Sequence, residues 1–155
     1  MARIIILGLG NTLNHDEGLG VHALQFVRDQ IALPAAVELV DGGTLGLNLL
    51  PLVEECSYLL LLDATNAGQE PGSLIELRRD QIPLYAGVKL SQHQVTFQEV
   101  LGLANMRGHL PENLHLIGIQ PVDLSLGIGM SPLVTSQMPH IVERVRAQLQ
   151  QWALL

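Results

Sequence analysis

"RIIILGLGNTLNHDEGLGVHAL", residues 3–24, decides the fold. In its first seven residues, Arg3 to Leu9, apolar positions follow one another after the opening arginine, the pattern of a strand buried on both faces of a parallel sheet. From Val21 onward, Val21, Leu24, Val27 and Ile31 recur at helical spacing, with Arg28 and Asp29 on the opposite side. Between strand and helix lies "GNTLNHDEGLG", residues 10–20. A nucleotide-binding fold places a glycine turn there, but Leu13 occupies the third glycine position and Asp16 and Glu17 would repel a pyrophosphate. A nicotinamide cofactor is not expected.

Working outward, the same alternation continues. "AVELVDGG" (Ala36 to Gly43) reads as a second strand and "LGLNLLPLVEEC" as a second helix that Pro51 kinks. "YLLLLDA" (Tyr58 to Ala64) is a third strand of the buried, parallel kind. After the turn-rich "NAGQEPGS", "LIELRRD" is expected to be an antiparallel edge strand closing a hairpin, because the connection is too short for a crossover helix. "VTFQEVLGLANM" (Val95 to Met106) is helical, "LHLIGIQ" (Leu114 to Gln120) is a strand, and a long final helix runs from about Pro132. The expected architecture is a single α/β domain spanning residues 1–155. It is a three-layer α/β/α sandwich with a mostly parallel twisted sheet and one antiparallel edge strand.

Composition narrows the function. Eight Lys and Arg against 15 Asp and Glu leave a formal charge of -7, and 3% aromatics offer few stacking surfaces, so nucleic acid is not an expected partner. The apolar runs fall far short of the ~20 residues that span a bilayer, and no leader pattern opens the chain, so no membrane association is expected. The single Cys56 excludes an internal disulfide framework and fits a reducing cytoplasm. Its place in the apolar tail of the second helix reads as a structural thiol. The serine-elbow, zinc-protease and phosphate-loop motifs are absent. A monomer is the simplest expectation for a compact acidic domain.

Parallel strands bring their carboxyl-end loops to one rim, where ligands of such folds bind. Asp16 and Glu17 follow the first strand, Asp41 ends the second and Asp63 ends the third, while His93 in "KLSQHQVTF" precedes a helix. Carboxylates with an imidazole suit a divalent metal, or acid/base work where neighbours raise a carboxylate pKa. Each residue also has a plainer reading. Asp16 is favoured as a helix N-cap, Glu17 complements the helix dipole, Asp41 is a turn residue before "GGT", and His93 is a solvated loop histidine. Asp63, behind four leucines, needs a partner or a purpose. Of the other histidines only His15, beside the acids, is placed to help such a site.

Five blocks carry a more specific signal: "LGLGNTLNHDEGLGVHAL", "VDGGTLGLNLL", "LLLLDATNAGQEPG", "SQHQVTFQEVLGLA" and "IGIQPVDLSLGIGMSPLV". In this order, over nearly the whole chain, they resemble the endopeptidases that mature the large subunit of nickel-iron hydrogenases. The resemblance implies a phosphorylase/hydrolase-like fold and removal of a C-terminal extension from the nickel-loaded large-subunit precursor. It implies a metal site formed by Glu17, Asp63 and His93, with Asp41 associated with recognition and activity. The nickel arrives with the substrate, and no organic cofactor is implied. "DLSLGIGMSP" is a candidate lining for the groove that receives the precursor's tail, or an ordinary loop before the last helix. Two other classes remain open on the residues alone: a nickel- or precursor-binding chaperone that leaves the peptide intact, and a general small metallopeptidase or amidase.

Overall fold

The computed structural model describes residues 3–84 and 96–155. Strand β1 (Ile4–Leu9) runs through a 3-10 turn, His15–Gly18, into helix α1 (Leu19–Gln30). Strand β2 (Val37–Gly43) leads through a second 3-10 turn, Gly46–Leu49, into α2 (Leu50–Glu55). Strands β3 (Tyr58–Ala64) and β4 (Leu74–Arg78) follow, then α3 (Phe97–Met106), β5 (Asn113–Ile119), α4 (Pro132–Ser136) and α5 (Met138–Gln151). The five strands form one sheet in the order β2-β1-β3-β5-β4. All pairs are parallel except β4 against β5.

The continuous apolar runs are explained by burial on both faces. Alternate residues of β1, β3 and β5 (Ile4, Ile6, Leu60, Leu62, Ile117, Ile119) pack under α1, α4 and α5. The residues between them (Ile5, Leu7, Leu59, Leu61, Leu114, Leu116) pack under α2 and α3. Each such side chain taken fully from water contributes roughly 2 kcal/mol, so the two faces together dominate the stabilisation. The expected three-layer α/β/α sandwich with one antiparallel edge strand is what the chain adopts.

Three local expectations are corrected. Strand β4 lies at the edge, but it does not form a hairpin with β3, because β5 sits between them. Strand β5 is buried along nearly its whole length and takes a neighbour on each side, whereas β4 has exposed ends and a single buried residue, Ile75, and tolerates an open edge. The long C-terminal helix is two helices, since Pro139 in the first turn of α5 has no N–H to continue the ladder from α4. Pro51 likewise sits in the first turn of α2 and starts that helix rather than kinking it.

Helix α1 comes unusually close to the sheet. A Cβ on Gly20 would lie 2.0 Å from the Leu62 carbonyl oxygen and 2.5 Å from that of Leu9, so only glycine lets the first helical turn rest on the ends of β1 and β3. Gly20→Ala is expected to destabilise the fold by about 2–3 kcal/mol, measured as a shift in the urea midpoint, because the obstructing atoms are backbone. An unshifted midpoint would show that the helix can lift without loss.

Candidate active site at the carboxyl rim

From β1 the chain crosses to β2 on one side, and β3 is placed on the other, so the carboxyl ends of β1 and β3 flank the point where strand order reverses. A cleft of about 490 Å³ opens there. Glu17, from the 3-10 turn after β1, and Asp63, the penultimate residue of β3, both line it. Gly10 makes the turn possible: its φ is +121°, and a Cβ there would stand 1.8 Å from the Glu17 carbonyl oxygen.

Among the described residues no positive charge faces the two acids. Burial pushes the Asp63 carboxyl up, the Glu17 charge beside it pushes further, and the Ala64 N–H opposes, leaving the group at about 8. Burial raises Glu17. The described residues lining the cleft include no Lys, Arg or His. Two acids sharing a cleft whose described lining carries no counter-charge are suited to a cation from outside, and oxygen donors of this kind suit a divalent metal. Among the described residues no three metal-ligating side chains converge.

The other sequence candidates fall in different places. Asp41 is exposed on β2 opposite Gly8 and is not among the cleft-lining residues, although Gly43 and Thr44 just after it are. His93 lies outside the described residues. Cys56 is buried, and burial pushes its thiol up to about 11, which leaves it inert as a nucleophile and agrees with a structural role.

Asp16 is not a helix cap. Gly18 occupies the N-cap of α1, with no side-chain cap, because the 3-10 turn separates Asp16 from the first α-helical residue. Asp16 is instead fully buried, and it accepts hydrogen bonds from the backbone N–H groups of Val122 (2.9 Å), Asp123 (3.0 Å) and Ser131 (2.7 Å) and from the Ser131 hydroxyl (2.9 Å). Burial raises its pKa, but these four donors outweigh burial and hold the carboxyl below the ordinary range. His15 reinforces this anchorage, its Nδ1 meeting the Gly129 carbonyl oxygen at 2.9 Å. The imidazole therefore latches the β5–α4 loop rather than joining the acids.

Gln120, which the sequence reading did not single out as a site residue, braces the opposite wall. Its Oε1 accepts from the N–H groups of Ala67 (2.8 Å) and Gln69 (3.2 Å), and its Nε2 donates to Asn66 Oδ1 (3.1 Å). Asn66 and Ala67 line the cleft. A buried amide directly after a largely apolar strand was the available signal.

Residues 21–148 match the model of the hydrogenase maturation protease family. The chain is 40% identical to hydrogenase expression/formation protein HupD of Rhodobacter capsulatus over 154 residues, covering 98% of this chain and 73% of that one. It is 34% identical over 150 residues to the hydrogenase 2 maturation protease of Escherichia coli K12, covering 96% and 92%. The solved structure of the E. coli hydrogenase maturating endopeptidase HybD superposes with a TM-score of 0.85 at 34% identity, over 96% of this chain and 93% of that one. A matching family model over most of the chain, relatives aligned almost end to end and the same fold together establish that this chain belongs to the hydrogenase maturation protease family.

Proposed function

We propose that this chain removes the C-terminal extension of a nickel-iron hydrogenase large-subunit precursor after nickel has been inserted, and that the precursor's nickel is the feature it recognises. The observation that carries this reading is the acid pair Glu17 and Asp63, set at the strand-order reversal in a cleft whose described lining offers no positive charge. In this scheme Glu17, Asp63 and His93 ligate the metal that the substrate brings, while Asp41 on the neighbouring strand contacts the approaching precursor. Two carboxylates and an imidazole leave coordination positions open for the precursor's own ligands and for water.

The reaction adds water across one amide. The hydroxyl joins the carbonyl carbon, the C–N bond breaks, and the released amine takes the remaining proton. Held by Glu17, Asp63 and His93, the substrate's divalent cation would supply Lewis-acid activation of the carbonyl and of water, so that neither a serine nor a cysteine nucleophile would be needed. The inert thiol of Cys56 is consistent with this, and a lone unpaired cysteine fits a reducing cytoplasm. No helix among the described residues is long and apolar enough to cross a membrane. The chain acts as a monomer in this scheme.

Intact-mass analysis of a large-subunit precursor, nickel-loaded or nickel-free, after incubation with the protein tests the proposal. Loss of a C-terminal peptide from the loaded form alone is the expected result. Equal cleavage of both forms would remove nickel from the recognition step. Binding with no mass change would favour a chaperone.

A further inference from the structure

The large apolar side chains left exposed among the described residues are segregated. Leu13 follows β1, Leu45 and Leu47 follow β2, and Leu124, Leu126 and Ile128 follow β5, all at the carboxyl rim. Leu126 and Ile128 are each 81% exposed. Few lie at the other end of the sheet, Met106 among them. From Leu124 to Gln137 no residue is charged, in a chain of net charge -7. Scattered surface leucines need no explanation, but exposed apolar side chains gathered at one rim, bordered by the exposed Asp123, are the pattern of an interaction surface.

The β5–α4 loop does not fold its leucines inward, because it is held from below. Asp16 anchors both ends of it, at Val122 and Ser131. Between these points His15 N–H donates to Gly127 O (2.9 Å), Gly127 N–H to Leu13 O (2.8 Å), and Asn14 Nδ2 to Leu124 O (3.2 Å). These anchors all come from residues 13–16, which run directly into the acid Glu17. The ridge and the cleft acid are thus built on one segment of chain, and a protein seated on the ridge is aligned with the cleft.

We propose that the ridge Leu124–Ile128, with Leu13, Leu45 and Leu47, is the docking face for the folded body of the precursor, which presents an uncharged apolar surface around its cleavage segment. This deepens the function proposed above and rests on it. Recognition is then divided: the cleft takes the extended tail and the metal, and the ridge takes folded surface. A pre-ordered ridge loses little conformational freedom on binding, which favours it over a flexible loop as an anchor.

The test compares the unaltered chain, the double variant L126D/I128D, a milder L126S/I128S, and M106D as an exposed control remote from the rim. Each is assayed for KM and kcat on nickel-loaded precursor by time-resolved intact mass, with circular dichroism to verify folding and sedimentation of each protein alone. The expected result is a KM raised about 10-fold or more for L126D/I128D. A smaller rise is expected for L126S/I128S, with kcat within about 2-fold and M106D unchanged. Unaltered KM in both ridge variants, with processing intact, would overturn the docking face while leaving the protease reading standing. A dimer of the unaltered chain that L126D/I128D dissociates would assign the ridge to a second copy and overturn it too. Failure of the unaltered chain to process the precursor would overturn the underlying function and the docking face together.

Discussion

Asp63→Asn is expected to abolish processing, lowering the rate by about 10²-fold or more, while making the metal-free protein more resistant to heat at neutral pH. The two effects have one origin. Burial and the adjacent Glu17 charge hold the Asp63 carboxyl at about 8 in the folded chain, against an ordinary value of 3.8. Between those limits the folded state keeps a proton that the unfolded state releases, so rising pH favours unfolding. The stabilisation from the neutral acid is complete below about pH 4, declines as pH rises, and is gone once pH passes the folded value near 8. Asparagine is neutral throughout and keeps the shape. Thermal midpoints from pH 4 to 8 should therefore diverge, with the variant gaining most at the alkaline end. Parallel profiles would show that Asp63 ionises without strain, and full cleavage by the variant would sink its role as a metal ligand.

Asp16→Ala should be the most damaging single substitution for stability, by about 3–5 kcal/mol, because four hydrogen bonds to one buried carboxylate are lost together. The sign of its pH dependence is opposite to that of Asp63. The Asp16 carboxyl is held below the ordinary range, so its contribution is present above the unfolded value and disappears as pH falls through the folded one. Asp16→Asn should recover part of the loss, since the amide retains one acceptor oxygen but turns an NH2 toward existing donors. Hydrogen exchange read at the Val122, Asp123 and Ser131 amides separates local from global effects: accelerated exchange at these three alone would mark an unlatched loop. Unchanged exchange would show that the loop is held by its other contacts.

Much of the framework was legible in the sequence, for a definite reason. "RIIILGL" and "YLLLLDA" are buried on both faces, and only a central parallel strand makes such demands over so short a run. Once those strands were placed, topology alone put Glu17 and Asp63 on one rim, and the structure brings both into one cleft. Pairing order was harder to read. That β5 displaces β4 from β3 is settled by which strand needs two neighbours, a property of the assembled sheet rather than of "LIELRRD". Asp16 misled because a cap is a local pattern, whereas its partners lie more than a hundred residues away and leave no trace near "HDEG". Gln120 was missed for the same reason, its partners lying on the loop after β3. The break between α4 and α5 was missed too, although Pro139 lies in the sequence as its signal.

The insertion of β5 between β3 and β4 also constrains how the polypeptide assembles as it is synthesised. Strands β1, β2 and β3 can pair as soon as they emerge, but β4, which comes next, has no place on the sheet until β5 has been made and has docked on β3. Until then the edge of β3, a run of five apolar residues, stays open to pairing with other chains. The nascent protein is thus most prone to aggregate in the interval between completing β3 and completing β5, and late pairing of β5 is the step that closes it.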